Sequence, residues 1–86
     1  MSLSKHRPSD FPTEASAAAV DDDYLILTLV GGIIVKYPLL YFQELAGAEK
    51  KDKMAVKVFA GGKGLVWESL DVHLNIPRLL GFTEDD

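Results

Sequence analysis

Tyr24-Leu-Ile-Leu-Thr-Leu-Val-Gly-Gly-Ile-Ile-Val-Lys-Tyr-Pro38 places two runs of Leu, Ile, Val and Tyr around a Gly-Gly pair and closes on a proline. β-branched and aromatic side chains fit a pleated surface, and glycine supplies the positive φ that a tight turn needs, so the stretch predicts a β-hairpin. Its register follows from the side-chain alternation. A loop made only of Gly31 and Gly32 would set Leu27 opposite Lys36 and mix both faces. A loop of Val30, Gly31 and Gly32 instead sets Leu29 opposite Ile33, Leu27 opposite Val35 and Leu25 opposite Tyr37, which gathers these apolar residues on one face. The longer loop is therefore expected, with Gly32 left-handed in a bulge. The opposite face then carries Tyr24, Ile26, Thr28, Ile34 and Lys36, and is itself too apolar for a face left in water.

The rest of the chain can supply one core and little more. Its 86 residues correspond to a single domain, and a chain of this size buries roughly 60–65% of its unfolded surface. Residues 1–16 read as a flexible tail, with Pro8 and Pro12 among polar residues and no apolar period. The domain is expected over 17–82, and 83–86 as an acidic, frayed end. Ala17 to Val20 are small and apolar and suit a short first strand. Asp21, Asp22 and Asp23 form a turn; a calcium loop needs oxygen ligands at spaced positions and a bending glycine, and neither is present.

After Pro38 the period changes. Leu39, Phe42, Leu45 and Ala46 recur at spacings of three and four, which predicts a helix with one apolar face, Pro38 standing at its first turn. Residues 49–53 are charged and mixed in sign, a solvated helical turn or loop. Val56 and Val58 alternate with Lys57 as in a strand, Ala60 to Gly64 form a turn, and Leu65 to Trp67 return as a second short strand. Asn75 caps a last short helix, Pro77 lies in its first turn and Gly81 stops it. Phe82 is placed near the core. The expected fold is α+β: a small antiparallel sheet built on the central hairpin and packed with two or three short helices.

Composition removes several function classes. With no cysteine there are no disulfides, thiolate ligands or cysteine nucleophiles. No apolar run is long enough to span a bilayer and the N-terminus lacks an apolar signal core, so a cytoplasmic protein without membrane contact is expected. A net charge of −4 argues against direct nucleic-acid binding by this domain alone. Gly61-Gly-Lys-Gly64 invites a phosphate-loop reading, but that motif needs Ser or Thr after the lysine and then a helix, and here Gly64 and a strand follow. His6 lies in the tail, and His73 has no second histidine or cysteine at ligand spacing. Ser69, Asp71 and His73 stand close in sequence, yet no nucleophile elbow aims them. No cofactor is implied.

Tyr37-Pro-Leu-Leu-Tyr-Phe-Gln-Glu-Leu45, Gly61-Gly-Lys-Gly-Leu-Val-Trp67, Leu70-Asp71 and Ile76-Pro-Arg-Leu-Leu80 together resemble the small bacterial domain of unknown function family 2442. The resemblance covers about residues 18–81. This chain departs from the family pattern at Gly31, where Asp is common, at Val66, where His is common, at Glu68, where Pro is common, and at Val72-His73 inside an acidic stretch. The resemblance implies an α+β fold with a small antiparallel sheet, and it implies no activity. Relatives at times carry a helix-turn-helix segment or stand beside toxin-like genes, which implies an accessory, antitoxin-like or regulatory role.

Two function classes follow. The first is a non-catalytic protein-interaction module that takes a protein partner or a second copy of itself through a sheet face or edge, with Ile26, Ile34, Tyr41, Trp67, Glu68 and Asp71 as candidate contact residues. Trp67 is a core aromatic on one reading and an exposed anchor on the other. The second class is a small ligand-binding or enzymatic domain using Glu68, Asp71 and His73.

Overall fold

The computed structural model describes residues 12–81; most of the tail, His6, Phe82 and the acidic end lie outside the described residues. Six strands form two antiparallel sheets of three rather than a single sheet. The first sheet holds β1 (Ala15–Val20), β2 (Tyr24–Leu29) and β3 (Ile34–Pro38), with β2 in the middle. The second holds β4 (Lys57–Phe59), β5 (Gly64–Trp67) and β6 (Val72–Asn75), with β5 in the middle. Between them run a 3-10 turn at Leu39–Tyr41 and the short helices α1 (Gln43–Ala46) and α2 (Lys50–Lys53), and α3 (Ile76–Leu79) follows β6. The α+β class is as the sequence predicts.

The hairpin takes the predicted register. Leu25 pairs with Tyr37 and Leu27 with Val35, and the Leu29 N–H donates to the Ile33 carbonyl at 2.7 Å, leaving Val30, Gly31 and Gly32 in the loop. Gly32 has φ +96 as expected, and Gly31 also has positive φ, +97. A positive φ at the third residue of the Leu29–Gly32 turn is the type II pattern, which only glycine enters cheaply. β1 begins at Ala15, two residues before the expected boundary, and a bulge between Ala15 and Ala17 keeps its small side chains in step with β2. Ala15 is buried, so this end of the expected tail belongs to the sheet. Ser16 reinforces the join by donating its hydroxyl to the Thr28 carbonyl.

One core serves both sheets. Leu25, Leu27 and Leu29 from β2, Leu45 from α1, Leu65 and Trp67 from β5, and Ile76 from α3 are fully buried, with Val35, Tyr37, Phe42, Val58, Val72 and Leu74 packed around them. Ile33 is the exception to the predicted inner face: it sits at the loop mouth and is 41% exposed. The Tyr37 hydroxyl donates to the Leu79 carbonyl at 3.0 Å and ties α3 to the first sheet, and burial pushes that phenol above its ordinary value. The sheets meet where β1 runs against β4 and the turn after it. A Cβ on Gly62 would stand 2.7 Å from the Ala15 carbonyl oxygen, so glycine is what permits this approach.

The predicted helix from Pro38 is broken at Phe42, whose φ and ψ are −126 and 89. The reason lies in the spacing. Leu39, Phe42 and Leu45 are three apart, a repeat that a 3-10 turn satisfies as well as an α-helix does. Leu39 and Leu45 are buried, while Ala46 is exposed. At the C-terminal side the expectation holds: the Asn75 side chain accepts from the Arg78 N–H at 2.8 Å, Pro77 stands in the first turn of α3, and Gly81 has φ +92. The Val72–Asn75 strand is an element the sequence reading omitted.

Candidate functional site

The candidate site is the outer face of the first sheet and the turn that leaves it. Alternation sends Leu25, Leu27 and Leu29 inward, so Tyr24, Ile26 and Thr28 face outward, joined across the ladder by Pro38, Lys36 and Ile34. From β1, Ala17 lies opposite Thr28 and Ala19 opposite Ile26. The resulting surface is flat, with short alanines on one flank and larger side chains on the other. Ile34 is 61% exposed and Ile26 half-buried, and none of the described residues covers the face. The Lys36 ammonium stands 5.7 Å from the centre of the Tyr24 ring, a cation–π arrangement at the end of the hairpin where Tyr24 pairs with Pro38.

Beyond Pro38 the chain turns tightly. The Leu39 N–H donates to the Asp23 carbonyl and the Leu39 side chain enters the core. That leaves Leu40 and Tyr41 pointing out, 83% and 76% exposed. Leu40, Tyr24 and Pro38 share an open hollow of about 350 Å³ with Asp22, Asp23, Ala46 and Lys53. At its rim the Asp21 carboxylate accepts from the N–H groups of Asp23 and Tyr24, at 2.8 and 2.7 Å. These backbone bonds hold its pKa below the ordinary aspartate range.

The structure thus brings Ile26 and Ile34 together and sets Tyr41 on the turn next to Leu40. Trp67 must be corrected as a contact residue. It is fully buried, and its indole N–H donates to the Lys53 carbonyl at 2.9 Å, pinning the end of α2. The Leu65-Val66-Trp67 alternation puts it on the same inner face as Leu65. Glu68 and Asp71 lie at the 3-10 turn Glu68–Leu70 and just past it, attached to the second sheet. Glu68 pairs with Lys57 at 3.2 Å on the surface, and Asp71 takes a left-handed conformation at φ 54. His73 packs edge-on to Phe59, and the roughly 280 Å³ hollow beside it is lined by Leu74, Asn75, Arg78 and Leu79, with neither Glu68 nor Asp71. Ser69 donates to Asp52 at 3.1 Å, away from His73. No group of three or more metal-ligating side chains occurs among the described residues. No helix among them is long and apolar enough to cross a membrane.

The sequence reading missed Leu40, the most exposed large apolar residue described. A signal existed: Leu40 and Tyr41 fall off the spacing of Leu39, Phe42 and Leu45, so any helical turn that buries those residues turns this pair outward.

Residues 15–83 match the model of the family described as protein of unknown function (DUF2442). The chain belongs to that family. It is also similar to a crystal structure of a protein of unknown function from Rhodospirillum rubrum, with 34% identity, a TM-score of 0.73, and coverage of 86% of this chain and 92% of that one. No functionally curated protein matches. The DUF2442 match extends over both sheets and α3, so the candidate face and the buried Trp67 lie within the family domain.

Proposed function

We propose that this DUF2442 chain is a non-catalytic protein-association module, acting through the outer face of the first sheet. One observation carries the reading: Ile34 and Tyr24 on the outer sheet side and Leu40 on the turn that leaves it are 61%, 40% and 83% exposed, with no described residue covering them. Clustered apolar side chains at a surface, rimmed by charges, mark association sites, because water gains when they are covered. The scatter of Glu68, Asp71 and His73 over an ion pair, a turn and an aromatic contact supports the same reading over a catalytic one. An accessory role, antitoxin-like or regulatory, is the biological form such a module would take, and a cytoplasmic setting suits it.

The test is retention of a partner from lysate of the native host by the wild-type chain and by an Ile34→Lys, Leu40→Lys variant. Both positions are exposed, so the variant is expected to melt close to wild type while losing the retained protein. Equal retention by the two chains would overturn the assignment of this face.

A further inference from the structure

The same face carries both signs of charge in an order that suits a copy of itself. Tyr24 and Pro38 form the last cross-strand pair of the hairpin, and Lys36 lies opposite Ile26, two residues along β2. At the usual rise that is about 7 Å from the Tyr24–Pro38 pair. Asp22 and Asp23 lie on the other side of Tyr24, in the turn that precedes it. Tyr24 stands between the two charges, Ile26 lies opposite Lys36, and Leu40 shares the hollow with Tyr24, Asp22, Asp23 and Lys53. Lys36 makes no ion pair among the described residues and rests over Tyr24. Asp21 is engaged chiefly by backbone N–H groups and more weakly by the Lys36 and Lys53 charges, and Asp22 has a solvent-exposed contact to Lys50 at 3.7 Å.

A twofold interface demands that one patch contain both halves of every contact. This patch does. We propose that a second copy of the chain docks on the outer face of the first sheet, with the twofold axis passing near Tyr24, so that each copy's Lys36 meets the other copy's Asp22 and Asp23. The inference rests on the association reading above and names its partner. Tyr24 then packs on its symmetry mate, Leu40 enters the hollow beside Pro38 of the other copy, and the stripe from Ile26 to Leu40 is closed from water. Three strands of about five residues span roughly 14 by 17 Å, or about 240 Å² per copy, so even with the Leu40–Tyr41 projection the area falls below that of standard specific interfaces and in the range of weak, transient encounters. The dimer is accordingly weak and reversible.

Charge exchange tests this arrangement. Lys36→Glu and the double variant Asp22→Lys, Asp23→Lys are studied separately and mixed, by sedimentation from about 1 μM to about 1 mM protein, the range expected for a small interface. All three positions are exposed, and circular dichroism and melting confirm folding. Wild type should associate reversibly, and each variant alone should bind itself roughly tenfold or more weakly, since like charges now oppose one another across the axis. An equimolar mixture should recover association, because every cross-axis contact is again between opposite signs. Wild type that stays monomeric throughout, or a mixture that fails to associate, overturns the second-copy inference. If the monomer still retains a lysate protein that the Ile34→Lys, Leu40→Lys variant loses, the association reading stands without the dimer; if nothing is retained, both fall.

Discussion

The two sheets are built alike on their inner faces and differently on their outer ones. Both bury a central strand: Leu25, Leu27 and Leu29 of β2, and Leu65 and Trp67 of β5, are fully covered. Outside, the second sheet attends to itself. Lys57 reaches Glu68, and the Phe59 ring lies against Gly64, where an added Cβ would come within 2.4 Å of it, with His73 edge-on at 6.1 Å. A large side chain laid over a strand glycine covers backbone that would otherwise be bare. Among the described residues, nothing covers the first sheet in this way. Its flank of Ala17 and Ala19 is low, and Ile34, Tyr24 and Leu40 rise beside it uncovered. Position on a sheet is thus a poor guide to function unless the cover is also examined: carboxylates near an aromatic on the second sheet belong to a local surface, while the surface proposed for association lies on the first.

The largest effects are expected inside, at matched positions of the two central strands. Trp67→Ala should cost roughly 3–5 kcal/mol and Leu27→Ala roughly 2–5 kcal/mol, through lost burial and the cavity left behind. Ile34→Ala on the outer face should stay within about 0.5 kcal/mol, as exposed positions usually do. Chemical denaturation measures all three. If Ile34→Ala approached Leu27→Ala in cost, the outer face would be covered within the monomer and the contrast between the sheets would collapse.

A second expectation sharpens the joint between the sheets. Gly61 and Gly62 both have positive φ, +66 and +92, but a Cβ at Gly61 would meet nothing within 4 Å, while one at Gly62 would strike the Ala15 backbone. Gly61→Ala should therefore cost only the left-handed penalty of about 1–2 kcal/mol. Gly62→Ala should cost clearly more, since β1 must move away from the turn to admit it. Equal melting temperatures for the two variants would show that β1 is not held against this turn.

Much of this was legible in the sequence where the information is local. The β2–β3 register follows from a period of two and a glycine pair, and the start of α3 follows from Asn75 and Pro77. The division into two sheets is not local. Val72 and Leu74 alternate with His73 and Asn75, a strand pattern, yet it is short, and what establishes it as a strand is pairing with β5 across the left-handed turn at Asp71. Of the candidate site, Ile26 and Ile34 were readable from the hairpin register alone. The burial of Trp67 was half readable, from its alternation with Leu65, but its partner is the Lys53 carbonyl 14 residues away, which no spacing announces. Leu40 required knowing that the chain breaks at Phe42.

The smallest expected effect concerns the turn that borders the site. Asp21 lies at the end of the candidate face, where its carboxylate accepts from the Asp23 and Tyr24 N–H groups, and these bonds favour the ionised form and lower its pKa from 3.8. A group whose folded pKa is depressed adds stability that is present above its unfolded pKa and is lost as pH falls through the folded one. The contribution of Asp21 should thus be complete at neutral pH and fade only below about pH 4, the ordinary range for an aspartate. Asp21→Asn retains an oxygen acceptor without the charge. The melting temperature of this variant should fall below wild type at pH 7, and the two curves should converge as the pH is taken down through the acid range. A constant offset between wild type and Asp21→Asn at every pH would mean that the turn needs the shape of the side chain and not its charge, and the electrostatic account of this end of the face would be wrong.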